Sequence, residues 1–154
     1  MIAVLQRVEH ASVVSDGVRT GAIERGLFIL LGVLSGDCEQ DALLLAEKIA
    51  KMRIFTDDAD KMNLSVLDIG GGALVVSNFT LAANYRKGNR PDYLEAAHPS
   101  VAEPLYEHFV ALLRERLSLV ETGVFGADMK ISMTADGPVT IVMDSAVLRK
   151  GGRA

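Results

Sequence analysis

Many short strand-like segments, two helical segments and no βαβ alternation predict an α+β fold, a mainly antiparallel sheet or open β-barrel with two main helices. Three observations carry this prediction. Apolar residues alternate or run in short blocks through the first third of the chain and again through 64–80. Only 37–52 and 100–117 hold apolar positions at helical spacing. Turn chemistry at Asp16-Gly17 and Asp136-Gly137-Pro138 separates strand-like blocks as hairpin connections do.

The elements follow in order. Ile2, Val4 and Gln6 alternate with Ala3, Leu5 and Arg7, and Ala11–Ser15 is a second β-rich run that ends at Asp16-Gly17. Leu27–Val33 is an apolar run short enough for a buried strand. Asp37 opens a helix with Gln40 as its capping-box partner, and Ala42, Leu45, Ala46, Ile49 and Met52 share one face. Asp57–Lys61 is a charged turn. Leu64–Ile69 and Leu74–Thr80 read as strands joined by Gly70-Gly71-Gly72, followed by a polar loop over 82–98. Ser100–Leu117 is the second helix, with Ser100 and Glu103 spaced as a capping box. Its inner face is Val101, Leu105, Phe109, Leu112 and Leu113, and Pro104 falls in the first turn, where it is tolerated. Asp128–Ala135 and Val139–Ala146 form the arms of a last hairpin. One domain is expected over 1–148, with a loose basic tail at 149–154.

Composition narrows the function. The chain has 154 residues, 49% hydrophobic but only 5% aromatic, with no Trp. Mean hydropathy is +0.26, high for a small domain, and this aliphatic excess predicts apolar surface buried against a partner subunit. Net charge is −4, which excludes coating of nucleic acid by bulk charge. The single Cys38 excludes a disulfide framework and any multi-cysteine metal site. MIAVLQRVEH lacks the basic start and apolar core of a signal peptide, and no run is long enough to span a bilayer. A cytoplasmic protein without a membrane partner is expected.

Classical catalytic types are scarce. His10, His98 and His108 share no metal-ligand spacing, and Asp57, Asp58 and Asp60 lack calcium-loop spacing, so no metal site is expected. The triglycine does not open a helix and is a turn rather than a phosphate loop. Ser77-Asn78-Phe79-Thr80 is either a strand end with local hydrogen bonds or a polar pocket edge whose backbone N–H groups form an oxyanion site. Asp136-Gly137-Pro138 is a turn whose backbone can crowd a ligand closely. Arg86, Lys87 and Arg90, with Arg149, Lys150 and Arg153, gather bases into two short stretches. These are either solvated surface or a dock for a nucleotide end.

In order and spacing, AVLQRV (3–8), GAIERGLFILLGV (21–33), KMNLS (61–65), LVVSNFTLAA (74–83), RKGNRP (86–91), VETGVFGADM (120–129) and DGPVT (136–140) closely resemble the D-aminoacyl-tRNA deacylases. The resemblance covers essentially the whole chain. It implies the fold of that family and a homodimer whose active sites lie at the subunit interface. It implies hydrolysis, without a cofactor, of the ester joining a D-amino acid to the 3′-terminal adenosine of tRNA. Glycyl-tRNA would be a second substrate, and DNA would not be a partner. The catalytic segment would be Ser77, Asn78, Phe79 and Thr80, helped by the substrate's own 2′-hydroxyl. Gly137 and Pro138, joined by a cis peptide and braced by Arg7, would enter the partner's site and exclude an L side chain. Phe125 and Met129 would line the adenine pocket. Two residues depart from the family pattern: Asn78 stands where Gln is usual, and Ala135 where Asn is usual. They leave open a deacylase of relaxed chirality or a module that binds tRNA ends without turnover.

Overall fold

The computed structural model describes residues 1–149. Lys150 and Arg153 of the expected basic tail lie outside the described residues. β1 (Ile2–Ser15) is the central element. The two β-rich runs read from the sequence are halves of this one strand. β2 (Val18–Ile23) pairs with its second half through the Asp16-Gly17 turn, and β3 (Gly26–Gly32) pairs with its first half. Both pairings are antiparallel.

Residues Leu27–Leu31 do not alternate in polarity because β3 is covered on both faces. Leu27, Ile29 and Leu31 join a core with the helices, and Phe28 turns into a second core with Val8, Val13, Leu74 and Val76. β6 (Gly72–Ser77) lies parallel to β3, and β7 (Val120–Thr122) lies parallel to β6. The sheet is therefore mixed, contrary to the expectation of no βαβ units. Each parallel step is crossed by a helix, α1 (Glu39–Ala50) or α2 (Pro99–Arg114), as a parallel connection requires. β2 then approaches β7 so closely that a Cβ on Gly21 would stand 2.8 Å from the Thr122 carbonyl oxygen, and the sheet nearly closes into a barrel.

Several boundaries differ from the sequence reading. α1 is capped by Cys38, with Asp41 rather than Gln40 returning the capping bond. α2 is capped by His98, not Ser100, and ends at Arg114, while Val101 is exposed. The apolar faces are otherwise as read. The short hairpin of β4 (Phe55–Thr56) and β5 (Met62–Leu64) ends where a strand was expected to begin. There the Asp68 carboxylate accepts from the Ser65 N–H and hydroxyl, which winds 65–71 into turns.

The largest difference is at the end of the chain. β8 (Met129–Asp144) is one long strand, not a hairpin. It runs antiparallel along the whole of β1, with Ala135–Met129 against Val8–Ser15 and Asp144–Thr140 against Ile2–Gln6. Asp136–Val139 bulge out opposite Arg7. The expected hairpin turn is instead a bulge, because β1 is long enough to pair with both arms end to end along one edge. α3 (Ser145–Leu148) follows, and Arg149 at its end pairs with Asp41 at 2.6 Å. Arg149 therefore anchors α3 to α1 and is not part of a loose tail.

Candidate functional site

β6 is buried until Ser77, where the parallel ladder to β3 runs out after the Asn78 N–H donates to the Leu31 carbonyl at 2.8 Å. The strand expected to reach Thr80 stops here. Residues Phe79–Ala82 form a single 3₁₀ turn with Asn78 as its cap. The Asn78 Oδ1 accepts from the Thr80 N–H at 3.1 Å and from the Thr80 hydroxyl. Thr80 thus has both its amide and its hydroxyl proton committed within the turn. The Phe79 N–H, first of the turn, has no partner among the described residues, and neither has the Ser77 hydroxyl.

Beneath this turn lies a cavity of about 600 Å³. Ser77, Asn78, Phe79, Phe125 and Met129 all line it, so five of the expected site residues meet in one place. Thr80 faces out beside it. Four residues that the sequence reading passed over complete the wall: Tyr93, His98, Ala102 and Tyr106. Ala102 and Tyr106 lie one turn apart on α2, on the stripe that continues to Phe109 and Leu113, so helical spacing carried their signal. Tyr106 is buried, and its hydroxyl donates to the Val75 carbonyl at 2.9 Å. Burial pushes that hydroxyl well above the usual phenol range, so it stays protonated. Tyr93 meets Phe79 edge to face at 5.1 Å between ring centroids. The cavity therefore combines apolar walls with an unpaired backbone donor on Phe79, a combination suited to a flat ring beside a developing oxyanion.

Arg7, Gly137 and Pro138 do not line this cavity. Arg7 is buried beneath the β8 bulge, with Nη1 donating to the Ile54 carbonyl at 2.8 Å and Nε to the Asp136 carbonyl at 3.2 Å. Its Nε also lies 2.9 Å from the Asp136 carboxylate. A guanidinium forked between two chain segments fixes the bulge more firmly than a single-point charge would. Gly137 has φ +130, where L side chains rarely go, and a Cβ there would lie 2.7 Å from the Val139 nitrogen. The Gly137-Pro138 peptide is cis, and both residues are exposed. The bulge is thus exposed at its tip and tied at its base to Arg7.

The basic loop is exposed and closed at its base by the Asn84–Asp92 backbone pair. Arg86, Lys87 and Arg90 have no acidic partner among the described residues, whereas Arg149 is committed to Asp41 and Asp37. Among the described residues, no three His, Cys, Asp or Glu side chains converge as a metal site would need. Among the described residues, no helix is long and apolar enough to cross a membrane.

The family model described as D-Tyr-tRNA(Tyr) deacylase matches residues 4–144. A D-aminoacyl-tRNA deacylase of Chloroflexus aurantiacus is 56% identical over 154 residues, covering 100% of this chain and 96% of its own. One from Ruegeria pomeroyi is 57% identical, covering 94% of this chain and 99% of its own. Among solved structures, a chain described as c-Myc DNA Unwinding Element Binding Protein is similar at TM-score 0.88 and 39% identity, covering 94% of this chain and 98% of its own. Another, described as "a probable eukaryotic D-amino acid tRNA deacylase", shares the fold at TM-score 0.80 and 16% identity, covering 92% and 97%.

Proposed function

The chain belongs to the D-Tyr-tRNA(Tyr) deacylase family, and from that premise we propose how its groups remove a D-amino acid from tRNA. The activity is that of a D-aminoacyl-tRNA deacylase, an ester hydrolase whose partner is aminoacyl-tRNA. The 3′-terminal adenosine enters the cavity against Phe125 and Met129, which presents the ester carbonyl to the Phe79 N–H. Water adds to that carbonyl, and the negative oxygen is held by the Phe79 N–H. The neighbouring 2′-hydroxyl of the substrate assists the water. The C–O3′ bond then breaks, O3′ takes the proton, and free amino acid leaves. Thr80 positions the turn: its hydroxyl donates to the Asn78 amide oxygen, which is no base and so does not activate it as a nucleophile. Ser77 is left to bind substrate. No step calls on a metal or cofactor.

The observation that carries this reading is the unpaired Phe79 N–H at the rim of an apolar cavity. Chirality is read by a second chain. The Gly137-Pro138 bulge of one protomer enters the cavity of its partner, where its carbonyls hold the substrate amino group and leave no space for an L side chain. Glycine has no side chain to exclude, so glycyl-tRNA is also cleaved. Two features support a homodimer. The cavity wall lacks Gly137 and Pro138, and β8 is exposed along most of its length, with Ile131, Met133 and Val142 uncovered. The Arg86, Lys87 and Arg90 loop meets tRNA phosphates, and residues 1–148 act as one unit in the cytoplasm.

The purified chain, treated with chelator, is expected to hydrolyse D-Tyr-tRNA and spare L-Tyr-tRNA. Equal cleavage of both contradicts the chirality reading. The competing reading, a tRNA-end binder without turnover, rests on Asn78 and Ala135. Activity that appears only after Asn78→Gln and Ala135→Asn are introduced would favour the binder.

A further inference from the structure

The cavity offers few side-chain hydrogen bonds. The Tyr106 hydroxyl is taken by Val75, and the Asn78 amide oxygen is taken by Thr80, which leaves the Ser77 and Tyr93 hydroxyls and the Asn78 amide nitrogen beside the reacting end. His98 differs. It is one of the residues that line the cavity, and its ring caps α2. Nδ1 accepts from the Ser100 N–H at 3.3 Å, and the Ser100 hydroxyl lies 2.8 Å from the same nitrogen. A ring nitrogen that accepts an amide proton carries none of its own, so the neutral imidazole bears its hydrogen on Nε2. Nε2 stands across the ring from the helix turn and has no partner among the described residues.

We propose that His98 is a substrate-binding residue, whose Nε2–H donates to an acceptor on the 3′-terminal nucleoside. The assignment rests on the deacylase reading, in which that nucleoside fills the cavity. Apolar walls hold a flat base by contact but leave it free to turn in its own plane. One directional donor at the rim removes that freedom and so fixes where the ester carbonyl lies relative to the Phe79 N–H. The helix cap makes the donor rigid, because the bond that starts α2 also sets the tautomer and the ring orientation.

The variant His98→Ser separates the two roles. Serine is a good N-cap, so α2 keeps its start, but it carries no donor at the reach of Nε2. Tm should therefore stay within about 2 °C of the parent. The KM for D-Tyr-tRNA should rise about five- to tenfold, the loss of one hydrogen bond, with the larger share of the effect on KM rather than kcat. A non-hydrolysable adenosine carrying D-tyrosine by a 3′-amide contains the nucleoside alone, and its Kd should rise by a similar factor. An unchanged KM in an active His98→Ser protein overturns the assignment. So does a shift seen with tRNA but absent with the nucleoside amide, because the contact would then lie beyond the terminal nucleoside. A parent protein that binds the amide in a His98-dependent way yet leaves D-Tyr-tRNA intact overturns only the deacylase reading. A parent protein that fails to bind the amide overturns both.

Discussion

The end of β6 and the middle of β8 both interrupt a strand, and they do so in opposite ways. β6 is buried on both faces and stops at Ser77, where Asn78 folds the next residues into a tight turn over a cavity. β8 is exposed along most of its length and does not stop: it extrudes Asp136–Val139 and resumes its pairing with β1. The first interruption leaves the Phe79 N–H without a partner among the described residues, on a residue that lines the cavity. The second leaves an exposed peptide at the surface, held from below by Arg7. Neither is a complete site. The difference fits the proposal that selectivity is divided between a receptive half and a projecting half, supplied by two different chains.

Four changes break or sharpen this comparison. The largest effect is expected from Arg7→Ala, which removes the fork holding the bulge and leaves a half-buried Asp136 carboxylate without its cation. The D-over-L ratio of kcat/KM should fall at least about a hundredfold, and urea unfolding should show a loss of about 3 kcal/mol. A retained ratio would mean that the bulge does not need its brace. Gly137→Ala comes next. Forcing an L residue to φ +130 against the Val139 nitrogen should lower kcat/KM for D-Tyr-tRNA about tenfold or more, with little effect on nucleoside binding in the cavity.

The third change tests the receptive half. Asn78→Ala removes the cap of the 3₁₀ turn and should reduce kcat about fivefold while leaving the D-over-L ratio unchanged. A change in that ratio would show that the two halves are not separable. The fourth is a control outside both. Burial alone would raise the Asp41 carboxyl, but hydrogen bonds from Arg149 and from the Cys38 N–H hold it well below the usual carboxylate range. Its contribution to stability is thus full above the unfolded carboxylate value and is lost as pH falls towards the depressed folded value. Asp41→Asn should cost about 2 kcal/mol at pH 7, less as the pH drops below about 4, with kcat/KM unaltered. A loss that stays constant into acid would contradict the depressed titration.

Much of this was legible in the sequence, and the rest has physical reasons for being hidden. The Leu27–Val33 run, the Asp16-Gly17 turn and the apolar faces of α1 and α2 follow from period and turn chemistry, which act locally. The β8 strand was hidden because Asp136-Gly137-Pro138 has the same local preferences in a hairpin as in a bulge. Only pairing with β1, more than a hundred residues away, decides between them. The same holds for the parallel β3–β6 step. Asp68 and His98 ended or began elements through side-chain bonds that spacing rules assign to other residues. In the site, resemblance supplied Ser77, Phe79, Phe125 and Met129, and the cavity gathers them. It did not supply Tyr106 or His98, and it did not foretell that Asn78 would occupy the Thr80 N–H and leave that of Phe79 free.

The central claim is that one protomer's Gly137-Pro138 bulge completes its partner's cavity, and mixed dimers test it directly. Phe79→Pro removes the cavity's N–H at a first-turn position where proline is tolerated, and Gly137→Ala disables the bulge. Alone, Phe79→Pro should be nearly inactive on D-Tyr-tRNA, and Gly137→Ala should keep about a tenth of the parent activity or less. Unfolding and reassembling the two in equal amounts gives mixed dimers in which one cavity and one bulge are both intact. The account predicts recovery to about a quarter of the parent activity, since half of randomly paired dimers carry one whole site. No recovery from well-formed mixed dimers would contradict it, because sites built within a single chain would each retain a lesion.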